Sequence, residues 1–221
     1  MNEYRIRSNG QIVSETEFRL YYPNISFPTV LDQATMSYYD ADPVLYSPMP
    51  EAGLYQSVIR NGAIQDNLGN WVQAWSLIDW DQSTIDAYLA ATRDQLWQKI
   101  KEIRFNKSIN GGVEYNNKWF NTDLVSRSQY LRLKNKADML VIGGASSDII
   151  LQANNTNILW KTMDGTFVTM TIDLINNLMN ALDNREAAIF TKAEMLRAQI
   201  NASTNPNSVN IVTGWPASFG E

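Results

Sequence analysis

Four groups of residues in this sequence are of types that could do chemistry. Thr162-Met163-Asp164-Gly165-Thr166 sets a carboxylate between two hydroxyls, a combination able to hold a metal ion or a phosphate. Gly143-Gly144-Ala145-Ser146-Ser147 has the small-residue run of a phosphate-cradling loop. Asp79 and Asp81 flank Trp80, and a carboxylate pair beside a stacking aromatic is what glycoside hydrolysis requires. Asp32, Asp40 and Asp42 add three carboxylates within a proline-rich stretch. Each group also has a plainer reading. Asp164-Gly165 is a hairpin turn. The Gly143-Gly144 run lacks the lysine of a P-loop and follows a predicted helix, so it reads as a C-cap and linker. Aspartates in turns and at helix starts account for the rest. No catalytic residue, metal ligand or cofactor is therefore expected, and the chain is not expected to be an enzyme.

Composition narrows the chemistry further. There is no His and no Cys, which removes imidazole acid–base catalysis, thiol nucleophiles, disulfides and Cys/His zinc sites together. Carboxylate-only hydrolysis and magnesium-dependent phosphoryl transfer survive that test. A formal charge of −5 argues against a nucleic-acid partner, because phosphate binding needs a basic stripe. The modest cluster Lys99, Lys101, Arg104 and Lys107 reads as the solvated last turns of a helix. No apolar run approaches the ~18 residues of a membrane span, and no apolar segment follows Met1-Asn2-Glu3-Tyr4-Arg5 as a secretory leader requires. Hydrophobic residues at 44% and charged ones at 19% are too apolar for disorder and sufficient for real cores.

The elements follow from pattern. Residues 1–80 read as a β-rich module with one short helix. Asn9-Gly10 carries a type I′ signal between Tyr4–Arg7 and Gln11–Val13, and Ser14 with Glu17 has capping-box spacing. Pro23 to Pro50 reads as extended and irregular, with Val44-Leu45-Tyr46 as a strand. Tyr55–Gln65 and Trp71–Trp80 form a second hairpin, apolar on both faces of the second arm. From 81 to 221 the chain reads as three helices and two hairpins. The first helix is capped by Ser83 and runs from about Thr84 to Asn106, with Ile85, Tyr88, Leu89, Leu96, Ile100 and Ile103 as its apolar stripe. The hairpins at 113–120 and 158–170 form an approximate repeat. Each is followed by a threonine, Thr122 or Thr171, that is expected to cap a helix, and the two hairpins are expected to pair. Val209–Val212 reads as a final strand before Gly214-Trp215-Pro216.

Several of these residues carry a likeness. Gly111-Gly112-Val113, Lys118-Trp119-Phe120, Thr122-Asp123, Trp160-Lys161-Thr162-Met163-Asp164-Gly165, Phe167-Val168, Met170-Thr171 and Gly214-Trp215-Pro216 resemble a phage family carrying only a domain-of-unknown-function label. Its members occur in tail-fibre, tail-assembly and other virion-associated proteins. The resemblance runs from about Ile85 to Pro216, and the head of the chain is similar to the variable heads of such proteins. It implies a structural protein of the virion tail, baseplate or fibre-attachment region, assembled in the host cytoplasm. Alternatives are a tail-fibre assembly chaperone and a receptor- or glycan-binding module. The family brings no catalytic residues.

Taken together, the expected fold class is α+β, a small β-rich N-terminal module (1–80) followed by a helix and hairpin domain (81–221). The expected partners are other phage tail proteins and further copies of the chain, with no nucleic acid and no membrane. Aromatic residues supply contact area at low rotamer cost. Trp71, Trp75, Trp80, Trp215 and Pro216 are accordingly the residues expected at an interface.

Overall fold

The structure, a computed structural model, describes residues 2–221; Met1 lies outside them. It is an α+β chain that divides into two compact units, 1–86 and 87–221.

The first unit is built on a three-stranded antiparallel sheet, β1 (Glu3–Ile6), β2 (Ile12–Ser14) and β3 (Ala41–Val44), in the order β2-β1-β3. Its first loop departs from the expected type I′ turn. Only Gly10 has positive φ, at 73°, and a four-residue loop is closed by Gly10 N–H to Ile6 O at 2.7 Å. Helix α1 (Glu15–Tyr21) begins at the expected capping box: Ser14 Oγ accepts from Glu17 N, and Glu17 accepts from Ser14 N at 2.7 Å. That cap orients Phe18 into a core of Tyr4, Ile6, Val13, Leu31, Met36 and Ala41. Between Pro23 and Pro50 the sequence predicts irregular chain with a strand at Val44-Leu45-Tyr46. The strand lies earlier, as β3, with only Val44 shared and Leu45 in an isolated bridge. A short helix, α2 (Gln33–Tyr38), also stands in this stretch because Asp32 accepts from Thr35 N at 2.7 Å. The long hairpin β4 (Gln56–Gln65) and β5 (Trp71–Asp79) is antiparallel, with a bulge between Arg60 and Ala63.

Helix α3 spans Gln82–Asn110 and carries the unit boundary in its first turns. Its cap is Asp81, which accepts from Thr84 N at 2.8 Å, and not Ser83 as the spacing suggests. Only the later part of the predicted stripe is buried: Leu96 and Ile100 pack with Ala193, Leu196 and Ile200 of the last helix. β6 (Val113–Tyr115) and β7 (Lys118–Phe120) turn through Asn116-Asn117, both left-handed, as a two-residue I′ turn requires. Helix α4 (Leu124–Ile142) is capped by Asp123 and not Thr122. Thr122 is buried and bridges instead, accepting from Gly112 N and donating to Ile109 O. At its far end Gly144 N–H reaches Val141 O and Ala145 N–H reaches Leu140 O, the paired bonds of a Schellman cap.

Two short strands, β8 (Gln152–Ala153) and β9 (Thr156–Asn157), turn through a second left-handed Asn pair, Asn154-Asn155. They lead into β10 (Leu159–Lys161) and β11 (Phe167–Thr169). The two predicted hairpins do not pair into one sheet. They meet end to end, through Met163 N–H to Trp119 O at 2.8 Å and Lys118 to Asp164 at 2.9 Å. Helix α5 (Ile172–Ala202) starts at the predicted cap, Thr171, and buries eight side chains from Ile172 to Ile200. At ~1.5–3 kcal/mol each as an upper figure, that burial outweighs intrinsic helix propensity many times over.

The predicted final strand is absent. Val209 and Ile211 pack onto α3 and α5, while Asn210 Oδ1 accepts from Val212 N and bends the chain. A helical surface offers this segment no backbone edge to pair with, so its alternating apolar residues serve as a clasp.

Acid should loosen these helix starts. Asp81, Asp123 and Asp32 are all held below the ordinary carboxylate value of 3.8, chiefly by hydroxyl donors of Ser83, Ser126 and Thr35. Their folded-state values are depressed, so their contribution is whole above about pH 5 and is lost as pH falls through the folded values. Urea midpoints followed by far-UV CD should be level from pH 7 to 5 and lower at pH 3. A midpoint that rose at pH 3 would contradict this.

Candidate interaction surfaces

The β4–β5 register decides what the long hairpin can touch. Trp71, Gln73 and Trp75 share one face with Arg60, Ala63 and Gln65. That face is covered from within its own unit. The Arg5 guanidinium lies 4.0 Å from the Trp71 ring centroid, Trp75 Nε1 donates to Ser47 O at 3.1 Å, and Arg60 pairs with Glu3 at 2.6 Å. Trp80, beyond the end of β5, donates to Ser57 Oγ at 2.7 Å and lies beside Tyr55. All three tryptophans are half-buried.

The opposite face of the same hairpin is buried at Ala74 and exposed at its two ends. Leu45, one residue past β3, makes an isolated bridge to Val72, and Val72 pairs with Ile64, giving an apolar row across the two-stranded hairpin and the chain beside it. Ile64 is 58% exposed, and Ile59 and Ile78 are exposed further along. The tryptophans drew attention in the sequence, yet aliphatic side chains contribute much of the apolar area that meets solvent. Their signal was the alternation in Tyr55–Gln65, readable only once the bulge after Arg60 is placed.

Trp215 and Pro216 are half-buried in the second unit. Trp215 Nε1 donates to Ile211 O at 2.9 Å, and its ring packs against the α3–α5 core. The residues after it are fastened too: Phe219 N–H donates to Gly111 O at 2.9 Å, and Lys107 pairs with Glu221 at 2.6 Å. The C-terminal tail is thus docked on its own unit.

The candidate chemical groups are held in structural roles. Asp79 accepts from Gln56 at 2.7 Å, and Asp81 caps α3. Asp42 pairs with Arg7 at 2.7 Å and Asp40 accepts from Ser8 N. Asp164 closes its hairpin loop, accepting from Thr162, Lys118 and Thr166, which hold its carboxyl well below the usual range. Gly165 alone supplies the left-handed residue there. Among the described residues, no group of three or more acidic side chains is placed to hold a metal ion. No helix among them is long and apolar enough to cross a membrane.

The second unit presents a groove of about 460 Å³ between α4 and the β8–β10 segment. One wall is the α4 stripe Gln129, Arg132, Leu133 and Lys136; the other is formed by Ala153, Ile158, Leu159 and Trp160. Its floor is firm, because the Trp160 ring packs, tilted, 4.6 Å from that of Tyr130, a fully buried residue whose hydroxyl donates to Asn121 O. Leu159, in that wall, and Phe167 on the same face of β10–β11 are 58% and 64% exposed.

The segment holding this groove is also the one that matches a known family. The family described as Domain of unknown function (DUF4376) matches residues 91–213, more than half of the 221-residue chain. The chain belongs to the DUF4376 family. Comparisons with curated proteins and with solved structures gave no match. The DUF4376 span takes in most of α3, all of α4 and α5, the hairpins between them and the groove. It omits the first unit and stops before Trp215.

Proposed function

We propose that this DUF4376 protein is a structural component of a bacteriophage virion, in the tail, baseplate or fibre-attachment region. It works by protein–protein contact and not by catalysis. The observation that carries the contact reading is the apolar row Leu45–Val72–Ile64. Its outer members, Leu45 and Ile64, are 46% and 58% exposed on either side of half-buried Val72, whereas Trp71 and Trp75 on the reverse face are half-buried under groups of the chain itself. Ordered apolar surface of this kind marks interaction sites. The virion placement draws its support from the residue likeness of Gly111–Pro216 to phage tail-associated proteins.

Mass spectrometry of purified particles tests the placement. The chain is expected in the particle at a fixed ratio to the other tail proteins. Its absence from particles, combined with normal abundance in the infected cell, would replace this reading with that of an assembly chaperone.

A further inference from the structure

Charge is divided unevenly between the two units. The first holds four arginines, no lysine and eleven carboxylates, net −7; the second holds fourteen cations and twelve carboxylates, net +2. In the first unit Glu3, Glu15 and Asp42 face arginines. The remaining eight carboxylates have no ion pair among the described residues. In the second unit neither cation of the groove, Arg132 or Lys136, faces a carboxylate among the described residues, though Lys136 donates to Gln152 O.

One feature of the acidic unit fits that groove. The β4–β5 loop, Asp66-Asn67-Leu68-Gly69-Asn70, carries Leu68 at 86% exposure. The loop is rigid. Asp66 Oδ1 accepts from Leu68 N at 2.9 Å and Asn70 N at 2.8 Å, Asp66 N donates to Asn70 O at 2.9 Å, and Gly69 N donates to Asp66 O at 3.0 Å. It therefore presents an apolar knob with an ionised carboxylate fixed beneath it, and little ordering entropy is lost on docking. The groove offers the converse, an apolar floor of Leu133, Ile158 and Trp160 with two cations on one rim.

We propose that copies of this chain associate head to tail, the Leu68 loop of one entering the α4–β10 groove of the next. Leu68 covers the apolar floor, and Asp66 lies toward Arg132 and Lys136. Such a contact is heterologous, so it propagates or closes into a ring and does not stop at a symmetric dimer. This rests on the reading that the chain works by contact, but not on its placement in a virion.

Sedimentation of the purified full chain tests it without any particle. Mass should rise above the monomer with concentration and fall back as salt screens the Asp66 contact. Leu68→Asp and the double variant Arg132→Glu with Lys136→Glu should each associate roughly 100-fold more weakly. An equimolar mixture of the two variants should give a dimer and nothing larger, because only one intact knob and one intact groove remain. All the changed side chains are exposed, and far-UV CD of each variant should match the wild type. Should either lose helical signal, Leu68→Ser or the two glutamine substitutions take its place. A wild-type chain that stays monomeric, variants that assemble like the wild type, or a mixture that yields no dimer would each overturn the proposal.

Discussion

Replacing Phe18 by alanine should unfold the first unit while leaving the second folded. Phe18 is fully buried, and its ring lies 5.2 Å from Tyr4, 5.5 Å from Tyr22 and 5.5 Å from Phe27. Truncating a buried phenylalanine costs about 3–5 kcal/mol in transfer and cavity terms. The core it serves is a small one, seven buried residues on a three-stranded sheet and two short helices. A small domain has roughly 5 kcal/mol to lose, so the cost approaches the total. Hydrogen exchange should show amides of β1–β3 losing protection while those of α4 and α5 keep theirs. Leu20→Ala on the same helix, where the side chain is exposed, should change stability by no more than about 0.5 kcal/mol. If β1–β3 stay protected in Phe18→Ala, the aromatic cluster does not hold that unit together.

What the residues disclosed in advance was what neighbours along the chain decide. The Ser14–Glu17 capping box, the Thr171 cap, the Asn116-Asn117 turn and the Gly143-Gly144 helix end all form from contacts within a few positions. The failures share another cause. Thr122 has the chemistry of a cap, but the fold buries it between Ile109 and Gly112, so the task falls to Asp123. Val209–Val212 alternates like a strand and lies on helices instead. Asp32 and the Asn154-Asn155 pair were local signals of the same sort, and α2 and the β8–β9 turn were readable from them.

The interaction surface shows the same division. Trp71 and Trp75 have the side chains that interfaces favour, yet Arg5, Ser47 and Arg60 reach them first from elsewhere in their unit. Leu45, Val72 and Ile64 come together only through the β4–β5 pairing, its bulge and the isolated bridge at Leu45. Residue type was legible at each position; the face it occupies depended on register. The α4 stripe at 129, 132, 133 and 136 follows helical spacing, but its partner wall at 158–160 comes from a strand far along the chain.

The Gly111-Gly112 pair joins α3 to β6, and here a single methyl group should be costly. Gly112 has φ of +70°, a conformation that taxes any L-residue by about 1–2 kcal/mol. A Cβ there would also run into Met163 Sδ, with Trp119 Cε3 at 3.2 Å and the Phe120 carbonyl oxygen at 3.3 Å. Methionine is adaptable and could swing away, but Met163 is tied by its backbone to Trp119 O, and the Phe120 carbonyl is part of β7. Overpacking of this kind adds about 1–3 kcal/mol, so Gly112→Ala should lose roughly 2–5 kcal/mol in all. Gly165→Ala separates the two contributions, since Gly165 has φ of +83° with nothing within 4 Å of an added Cβ. That variant should show the backbone cost alone. Urea denaturation of the pair should therefore place Gly112→Ala well below Gly165→Ala, and its hydrogen exchange should rise first where β7 meets Met163. Equal losses in the two variants would mean that the hairpins do not press on each other at this point, and the end-to-end junction between them would lose its standing as a packed contact.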